Sequence, residues 1–304
     1  MQSVNDCFDK IKADCFKYFD SQKIKFTNKD KILKSFFIPI CFWISKKKIL
    51  KDPIIIGLSG GQGSGKTTAS SIISIILKKY FKLNVCKVSI DDFYKTKKER
   101  ELLSKTKHPL LITRGVPGTH DINMLIKFFE KIKNKNFKKF KFPKFNKAID
   151  DRYKKNHWNS IKSKPQIVIF EGWCIGAKHQ NYKQLKRSVN SVEKKFDKSF
   201  EWRKFVNLQL MTKYKKLFNQ IDSYLYLKPD NFNLLKKWRI KQEKKLLVNN
   251  KNKKNLKIMN EKDVLIFMQT YQRITQQMFK DMPKNASIIV KLNKNHQIYK
   301  IKFN

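Results

Sequence analysis

The feature that most constrains the fold is the stretch Ile54–Ser70, which reads IIIGLSGGQGSGKTTAS. Five of the nine glycines in the chain lie between Gly57 and Gly65. Glycine is costly to order, so this concentration indicates a backbone that must approach something closely. A short apolar, β-branched run precedes the glycines, and apolar residues at helical spacing follow them. The stretch therefore predicts a buried strand, a tight loop and a helix.

Residues 60–67 of this stretch read GGQGSGKT and satisfy the P-loop pattern G-x-x-x-x-G-K-[ST]. In such a loop, backbone N–H groups and the helix N-terminus surround phosphate oxygens. We expect Lys66 to reach the β- and γ-phosphates of ATP and the Thr67 hydroxyl to ligate Mg²⁺. The predicted ATP-binding residues are Gly60, Gly61, Gln62, Gly63, Ser64, Gly65, Lys66, Thr67 and Thr68. The motif alone leaves open whether the γ-phosphate goes to water or to another molecule.

Apolar runs alternate with helical patterns along the rest of the chain. The predicted strands are Pro53–Leu58, Val85–Ile90, Gln166–Gly172, Ser223–Lys228 and Ser287–Leu292. This alternation predicts an α/β protein with the P-loop NTPase fold, in which a parallel five-stranded core sheet is flanked by helices. Two Lys/Asn-rich stretches, Lys131–Lys141 and Asn249–Asn255, are expected to be exposed loops or lid edges.

Composition limits the choice of partners and compartment. A formal net charge of +45 taken alone suggests a nucleic acid or an anionic membrane. Lys, Asn, Ile and Phe are enriched everywhere rather than in one block, so we favour compositional drift, with no specific nucleic acid and no membrane as partner. Five cysteines without metal-ligand spacing, and no secretory signal, predict a cytoplasmic protein. The apolar run Phe36–Ile44 is shorter than the ~20 residues of a membrane span and contains Pro39, which predicts a helix-and-turn segment.

Acidic residues follow two predicted strands at the sheet edge where open α/β folds bind ligands. Asp91 and Asp92 lie in SIDDFY, directly after the second strand. A carboxylate there is suited to take a proton from an attacking hydroxyl, although paired aspartates also serve as ordinary helix caps. Glu171 closes the next strand, where it is expected to hold Mg²⁺ or its water shell together with Thr67.

A long connection separates the second and third strands and contains HPLLITRGVPGTHD (His108–Asp121) and FPKFNKAIDDR (Phe142–Arg152). A structureless connection of this length is usually functional. Its charged and polar side chains suit a small anionic acceptor, since arginine can bind a carboxylate through two hydrogen bonds. The candidates are Arg114, His120, Lys147, Asp151 and Arg152. Each alone is equally compatible with a surface charge.

Six stretches occur in an order that resembles the plant-type D-glycerate 3-kinases: GLSGGQGSGKTT, SIDDFY, HPLLITRGVPGTHD, FPKFNKAIDDR, IFEGWCIG and WRIKQE. The resemblance covers about Phe36 to Leu292 and extends, more distantly, to the uridine kinase, phosphoribulokinase and bacterial pantothenate kinase group. It implies a helical lid that closes on the phosphates. We expect an N-terminal helical extension over residues 1–50 and a P-loop kinase domain over residues 51–304.

The resemblance also implies roles for individual residues. The catalytic residues would be Asp91 as the base, Lys66, and Arg239 on the lid, although Arg239 and Glu243 also match an i,i+4 surface ion pair. The acceptor-binding residues would be Asp92, Tyr94, Arg114, His120, Lys147 and Arg152. This sequence departs from the pattern at Asn146, where relatives often have Asp, and in the lysine-rich region Lys194–Lys204, which we interpret as peripheral.

The expected reaction is phosphorylation of D-glycerate by ATP, giving 3-phosphoglycerate and ADP. One alternative is a related kinase acting on pantothenate, ribulose 5-phosphate, or a nucleoside such as uridine. Another is a nucleic-acid-dependent ATPase, which only the charge favours. The sequence has no interleaved stripe of aromatic and basic residues, and its strongest motifs describe a pocket rather than a groove.

Overall fold

The apolar runs of the sequence form the strands of a central sheet. The structure, a computed structural model, describes residues 3–51, 53–249 and 259–304. The strands in those residues are β1 (Ile54–Gly60), β2 (Val85–Ser89), β3 (Phe140–Phe142), β4 (Phe145–Asn146), β5 (Asp151–Arg152), β6 (Asn159–Ile161), β7 (Ile167–Gly172), β8 (Ser223–Pro229), β9 (Ile288–Leu292) and β10 (Ile298–Phe303). The five predicted strands correspond to β1, β2, β7, β8 and β9.

In the described residues, the central sheet has six strands in the order β10-β9-β8-β1-β7-β2. The five strands from β9 to β2 run parallel to one another, which confirms the predicted parallel core. The sixth strand, β10, pairs antiparallel with β9 and was not predicted. It is an edge strand carrying Lys300 and Lys302, and charged side chains are typical of exposed sheet edges.

Helices cover both faces of the sheet. They are α1 (Val4–Ser21), α2 (Lys29–Ile32), α3 (Ile38–Leu50), α4 (Lys66–Lys79), α5 (Lys97–Thr106), α6 (Ile122–Lys133), α7 (Tyr182–Lys186), α8 (Ser191–Phe196), α9 (Glu201–Gln209), α10 (Lys215–Phe218), α11 (Phe232–Asn249) and α12 (Glu261–Asn285). All seven residues of β1 are buried. Ile54 and Ile56 pack into the core on one face and Ile55 into the core on the other, since successive strand side chains alternate.

The N-terminal helices share the core that α4 builds on one face of the sheet. Cys7 of α1 and Ile44 of α3 belong to the same buried cluster as Ile72 of α4. The prediction of a turn near Pro39 is wrong, because a π-helical turn at Leu33–Phe37 leads directly into α3. Pro39 is the second residue of α3, which comes directly after this π turn. Of the helices in the described residues, none is both long enough and apolar enough to cross a membrane.

The connection between β2 and β7 is structured, contrary to the prediction. It contains α5, α6 and two small antiparallel sheets, β3–β6 and β4–β5. A capping box between Thr96 and Glu99 starts α5, and Asp121 caps α6. The stretch Lys131–Lys141 begins inside α6 and continues as a largely exposed loop to β3. Apart from Asn249, the stretch Asn249–Asn255 lies outside the described residues.

The lysines of the region Lys194–Lys204 are exposed or partly exposed, in keeping with the peripheral interpretation, but the same region also holds buried charges. Asp197 and Arg203 are buried, and Arg203 Nε donates to Asp197 at 2.7 Å. Arg273 of α12 donates to Glu193 of α8 at 2.7 Å in the same network. The paired charges satisfy one another's buried polar atoms, so they join α8, α9 and α12.

Candidate active site

The predicted phosphate-binding loop joins β1 to α4. Gly63 and Gly65 have φ angles of 76° and 90°, in the left-handed region that glycine adopts without steric cost. Helix α4 begins at Lys66, immediately after Gly65, so the unpaired N–H groups of its first turn lie at the loop. This local geometry is what an anion-binding loop requires.

Several polar groups of this loop are unsatisfied. Ser59 Oγ, Gln62 Oε1 and Ser64 Oγ are buried without a hydrogen-bond partner among the described residues. Buried polar atoms normally have partners, so their occurrence beside a helix N-terminus fits a polar ligand such as a triphosphate. Thr68 lies next to Thr67 in the first turn of α4, close to the same groups.

Lys66 places a cation in the loop. Its Nζ donates to the carbonyl oxygen of Gly61 at 2.9 Å. Burial lowers the pKa of Lys66, while the negative charges of Glu171 and Asp91 act in the opposite direction. The P-loop lysine and the two acidic residues predicted from strand ends therefore share one electrostatic neighbourhood.

Thr67 and Glu171 lie side by side. Thr67 Oγ1 donates to a Glu171 carboxylate oxygen at 3.1 Å, and burial raises the pKa of Glu171. The parallel pairing of β1 with β7 brings Glu171 opposite Leu58, two residues before the loop. Across the described part of the chain, no group of three or more His, Cys, Asp and Glu side chains is arranged to hold a metal. Two protein oxygens fit Mg²⁺, which commonly takes one or two protein ligands together with substrate phosphates.

Asp91 lies just beyond the carboxyl end of β2. A single 3₁₀ turn, Ile90–Phe93, carries it, and the Ser89 hydroxyl accepts a hydrogen bond from its backbone N–H at 3.3 Å. Asp91 Oδ2 accepts a hydrogen bond from Lys147 Nζ at 2.7 Å. Burial acts to raise the pKa of Asp91, but the charge and hydrogen bond of Lys147 hold it well below its usual range. Asp91 is therefore ionised at neutral pH.

Asp92 has the opposite electrostatic character. Burial raises the pKa of Asp92 to about 6, with the charge of Asp91 acting in the same direction. The Phe145 N–H donates to Asp92 Oδ1 at 3.4 Å. Asp92, Thr67 and Glu171 line a cleft of about 610 Å³ beside the edge strand β2. The two adjacent aspartates thus differ in protonation behaviour and in surroundings.

The turn between β4 and β5 brings charged side chains to the site. Lys147 binds Asp91 from this turn, and Asp150 forms an ion pair with Arg114. Asn146, where the resemblance leads us to expect Asp, accepts a hydrogen bond from the Ala148 N–H at 3.0 Å and so shapes the same turn.

Arg100 was missed by sequence reasoning, although it anchors this turn. Its side chain is fully buried, and its nitrogens donate to the carbonyl oxygens of Lys95, Ile112 and Asp150. The capping box that starts α5 was visible in the sequence, but an arginine one residue later carries no separate signal. Arg100 therefore holds together three loops that the sequence places far apart.

Tyr94 and His120 pack against each other next to Asp91. Their rings are stacked with centroids 4.4 Å apart, and both residues are almost fully buried. The charges of Asp91 and Arg114 both act on the Tyr94 hydroxyl, and the charge of Asp91 acts on His120. The structure thus brings together four of the predicted residues, Asp91, Tyr94, Arg114 and His120, which we call the acceptor cluster.

Arg152 and Asp151 serve the fold around this cluster. Arg152 Nε donates to the Tyr94 carbonyl oxygen at 2.7 Å, and Nη2 donates to Asp121 at 3.3 Å. The Asp151 carboxylate accepts from the Lys97 N–H at 3.1 Å. Only 11% of the Arg152 side chain is exposed, so its guanidinium supports the pocket wall rather than facing a ligand freely.

Helix α11 covers the P-loop from above. A Cβ atom added at Gly63 would lie 3.3 Å from Trp238 Cβ, which shows how closely the helix approaches the loop. Arg239 follows Trp238 and forms an ion pair with Glu243, while its Nη1 donates to Gln242 at 3.0 Å. Arg239 Nε is buried without a hydrogen-bond partner within the described ranges. The pair with Glu243 is largely buried rather than on the surface, and the lid role of Arg239 stays a prediction.

Known proteins resemble this chain in sequence and in structure. No protein-family model matches the chain. The uncharacterized kinase mug58 of Schizosaccharomyces pombe is 32% identical over 222 residues, which are 70% of this chain and 76% of that protein. The chloroplastic D-glycerate 3-kinase of Arabidopsis thaliana is 29% identical over 245 residues, which are 74% of this chain. The chain spans about half (51%) of that plant protein.

A solved structure has the same fold. The D-glycerate 3-kinase from Cryptococcus neoformans superposes with a TM-score of 0.73 at 22% identity, covering 88% of this chain and 99% of that one. The match includes the mostly parallel sheet and the helices that flank it, so the chain has the fold of P-loop kinase structures. With the phosphate-binding loop and the sequence relatives, it identifies a P-loop small-molecule kinase that uses ATP. The chain belongs to the D-glycerate 3-kinase-like family of P-loop kinases, which is related to the pantothenate and uridine kinases.

Proposed function

We propose that the chain transfers the γ-phosphoryl group of ATP to the 3-hydroxyl of D-glycerate, giving 3-phosphoglycerate and ADP. The observation that carries the proposal is the position of Asp91, an ionised carboxylate at the end of β2 in the electrostatic field of Lys66. The acceptor is suggested by the plant relative, whose name is D-glycerate 3-kinase.

In this mechanism Asp91 is the general base. It accepts the proton of the acceptor hydroxyl while the oxygen of that hydroxyl bonds to the γ-phosphorus. The bond between the γ-phosphorus and the oxygen that bridges it to the β-phosphorus breaks, and ADP leaves with that oxygen. Lys66 balances the charge on the transferring group. Lys147 occupies only Oδ2 of Asp91, so the hydroxyl can bind Oδ1 or displace Lys147, 62% of whose side chain is exposed.

The acceptor carboxylate has a suitable partner in Arg114. An arginine can hold a carboxylate through two hydrogen bonds. The Arg114 side chain is 28% exposed, and its Nη1 is paired with Asp150. Its Nη2 makes no hydrogen bond to the described residues. Tyr94 and His120 complete the acceptor cluster, and Asp92 follows Asp91 in the same 3₁₀ turn. We assign Arg239 to the lid that closes on the phosphates.

Thr67 and Glu171 are the residues that would hold Mg²⁺. When bound, the ion would neutralise charge on the β- and γ-phosphates. We expect Thr67→Ala to raise the Mg²⁺ concentration needed for half-maximal activity, whereas Thr67→Ser, which keeps the hydroxyl, should restore the wild-type value. Equal Mg²⁺ dependence in the alanine and wild-type proteins would remove Thr67 from the metal site.

The acceptor is tested by measuring ADP release with D-glycerate, L-glycerate, pantothenate, uridine and ribulose 5-phosphate. We expect kcat/KM to be highest for D-glycerate. A higher value with another of these acceptors would overturn the substrate assignment and keep the kinase assignment. ADP release that needs no small acceptor and rises about tenfold with RNA or DNA would instead favour a nucleic-acid-dependent ATPase.

A further inference from the structure

His120 is held rigidly in the acceptor cluster. Only 2% of its surface is exposed, and its backbone forms an antiparallel bridge with Tyr94. The plane of its ring lies within 20° of the plane of the stacked Tyr94 ring. Backbone pairing and ring stacking fix the place and the plane of the imidazole, and its contact with Tyr214 then distinguishes the two ring nitrogens.

One ring nitrogen contacts Tyr214, a residue that the sequence analysis did not single out. Tyr214 is fully buried and ends a π-helical turn, Leu210–Tyr214, that continues α9. Its hydroxyl oxygen lies 2.6 Å from His120 Nδ1 and accepts a hydrogen bond from the Gly118 N–H at 3.1 Å. Single π turns within helices frequently occur at functional sites.

The protons of this contact can be assigned by counting donors. The Gly118 N–H can only donate, so the Tyr214 oxygen accepts there and its own proton is available for Nδ1. Burial raises the pKa of Tyr214 well above its usual value, so the phenol keeps that proton. Burial lowers the pKa of His120 to about 4, so the imidazole is neutral at pH 7. Nδ1 therefore accepts, and Nε2 carries the imidazole proton.

The second ring nitrogen has no such partner. His120 Nε2 is buried and makes no hydrogen bond with any described residue. In the opposite tautomer Nδ1 would carry the proton, and the Tyr214 hydroxyl proton would have no atom to accept its hydrogen bond among the groups that contact the Tyr214 oxygen. The bridge to Tyr94 and the hydrogen bond of the Asp121 N–H to the Phe93 carbonyl oxygen at 2.7 Å set His120 beside the 3₁₀ turn that carries Asp91. A buried N–H donor that is left free in this position requires an explanation.

We propose that Tyr214 is a positioning residue that fixes the Nε2–H tautomer of His120, and that this N–H donates a hydrogen bond to an oxygen of the acceptor beside Asp91. The inference rests on the proposed function in one respect, namely that the acceptor binds at the acceptor cluster. The Nε2–H of a neutral His120 can donate to an oxygen atom of the substrate without adding a positive charge next to Asp91. Tyr214 acts through His120 and does not touch the acceptor.

The tautomer is measured directly by ¹H–¹⁵N NMR of histidine-labelled protein without acceptor. The chain has five histidines, and the His120 signal is the one lost in His120→Gln. We expect the Nε2–H pattern in the wild type and a mixture of tautomers in Tyr214→Phe. A wild-type Nδ1–H pattern would overturn the proposal without the need for any variant. Because no acceptor is present, this result does not depend on whether D-glycerate is the substrate.

Kinetics provide the second measurement, with the acceptor that the substrate panel identifies. Tyr214→Phe should raise KM for the acceptor by about 5- to 10-fold, the effect of weakening one hydrogen bond, and should leave KM for ATP unchanged. Tyr80→Phe is the matched control, because it removes a hydroxyl that donates to Asp6 at 2.7 Å and belongs to the core on the other face of the sheet. Equal acceptor KM values for Tyr214→Phe and Tyr80→Phe would contradict the positioning role.

Discussion

Asp91 and Lys147 form an ion pair in which the carboxylate oxygen and the ammonium nitrogen are 2.7 Å apart. The pair joins the end of β2 to the turn between β4 and β5, two segments separated by more than fifty residues of sequence. It keeps Asp91 ionised and occupies Oδ2 of its carboxylate. The acceptor hydroxyl therefore has to bind Oδ1 or displace the ammonium from Oδ2.

Replacement of Lys147 should shift the pH dependence of the reaction. Lys147 lowers the pKa of Asp91, so in Lys147→Met that pKa should rise and the acid limb of the kcat/KM profile should move to higher pH. The profile measured with the acceptor tests this directly. Lys154→Met, at an exposed lysine next to β5, should leave the profile in place. A Lys147→Met profile identical to that of the wild type would contradict the coupling.

Replacement of Lys66 should remove phosphoryl transfer. In Lys66→Ala the charge on the γ-phosphate oxygens is uncompensated, and we expect kcat to fall by about 10²- to 10³-fold. Lys78→Ala changes an exposed lysine near the far end of the same helix and should keep kcat within about twofold, as expected for a screened surface charge. Near-normal turnover in Lys66→Ala would rule out the P-loop assignment.

Asp92 should make stability depend on pH. The pKa of its carboxyl is about 6 in the folded protein and 3.8 ordinarily, so the folded state holds this proton more tightly than the unfolded state does. The stabilisation that this proton gives to the folded state is fully present below pH 3.8 and is lost as the pH rises through 6. Asp92→Asn should therefore stabilise the protein by about 1–2 kcal/mol at about pH 7.5 and by little at about pH 4. Urea unfolding at both pH values measures this, with the exposed Asp9→Asn as control. A lower free energy of unfolding in Asp92→Asn at the higher pH would contradict the raised pKa of Asp92.

The two arginines of the acceptor region should behave differently. Arg114→Ala should raise KM for the acceptor about tenfold or more and change the unfolding free energy little, because Arg114 is partly exposed. Arg152→Ala should lower the unfolding free energy by about 1–3 kcal/mol, because the Tyr94 carbonyl and Asp121 lose their donor. Arg187→Ala, at an exposed position, is the control for both measurements. If Arg114→Ala instead lowered the unfolding free energy and Arg152→Ala raised KM for the acceptor, Arg152 would be the acceptor-binding residue and Arg114 the one that supports the fold.

Sequence periodicity was sufficient for the elements that build the sheet. Ile54–Leu58 and the apolar face of α4 are buried as their patterns indicate. Asp91 follows β2 and Glu171 lies near the end of β7, and these two strands are neighbours in the sheet. The edge strand β10 was missed because its exposed lysines break the apolar pattern that marked the other strands.

Residues that act through tertiary contacts could not be found in this way. The Tyr214 hydroxyl meets His120 only because a π turn and the loop before α6 pack together, and the two residues are 94 positions apart. Arg152 was assigned to the acceptor from its charge, yet its donors are directed to the Tyr94 carbonyl and Asp121. Charge and motif select candidate residues, whereas only the fold shows which of their hydrogen bonds are already used.

The most direct test of the account is ³¹P NMR of the products formed from ATP and D-glycerate by the wild type, Asp91→Asn and Asp92→Asn. We expect the wild type to form 3-phosphoglycerate and ADP. Asp91→Asn, which keeps the shape of the side chain but cannot accept the proton, should form them about 10²- to 10⁴-fold more slowly. Asp92→Asn should be much less affected. Absence of phosphorylated glycerate with the wild type would contradict the acceptor, and full activity in Asp91→Asn would contradict the mechanism.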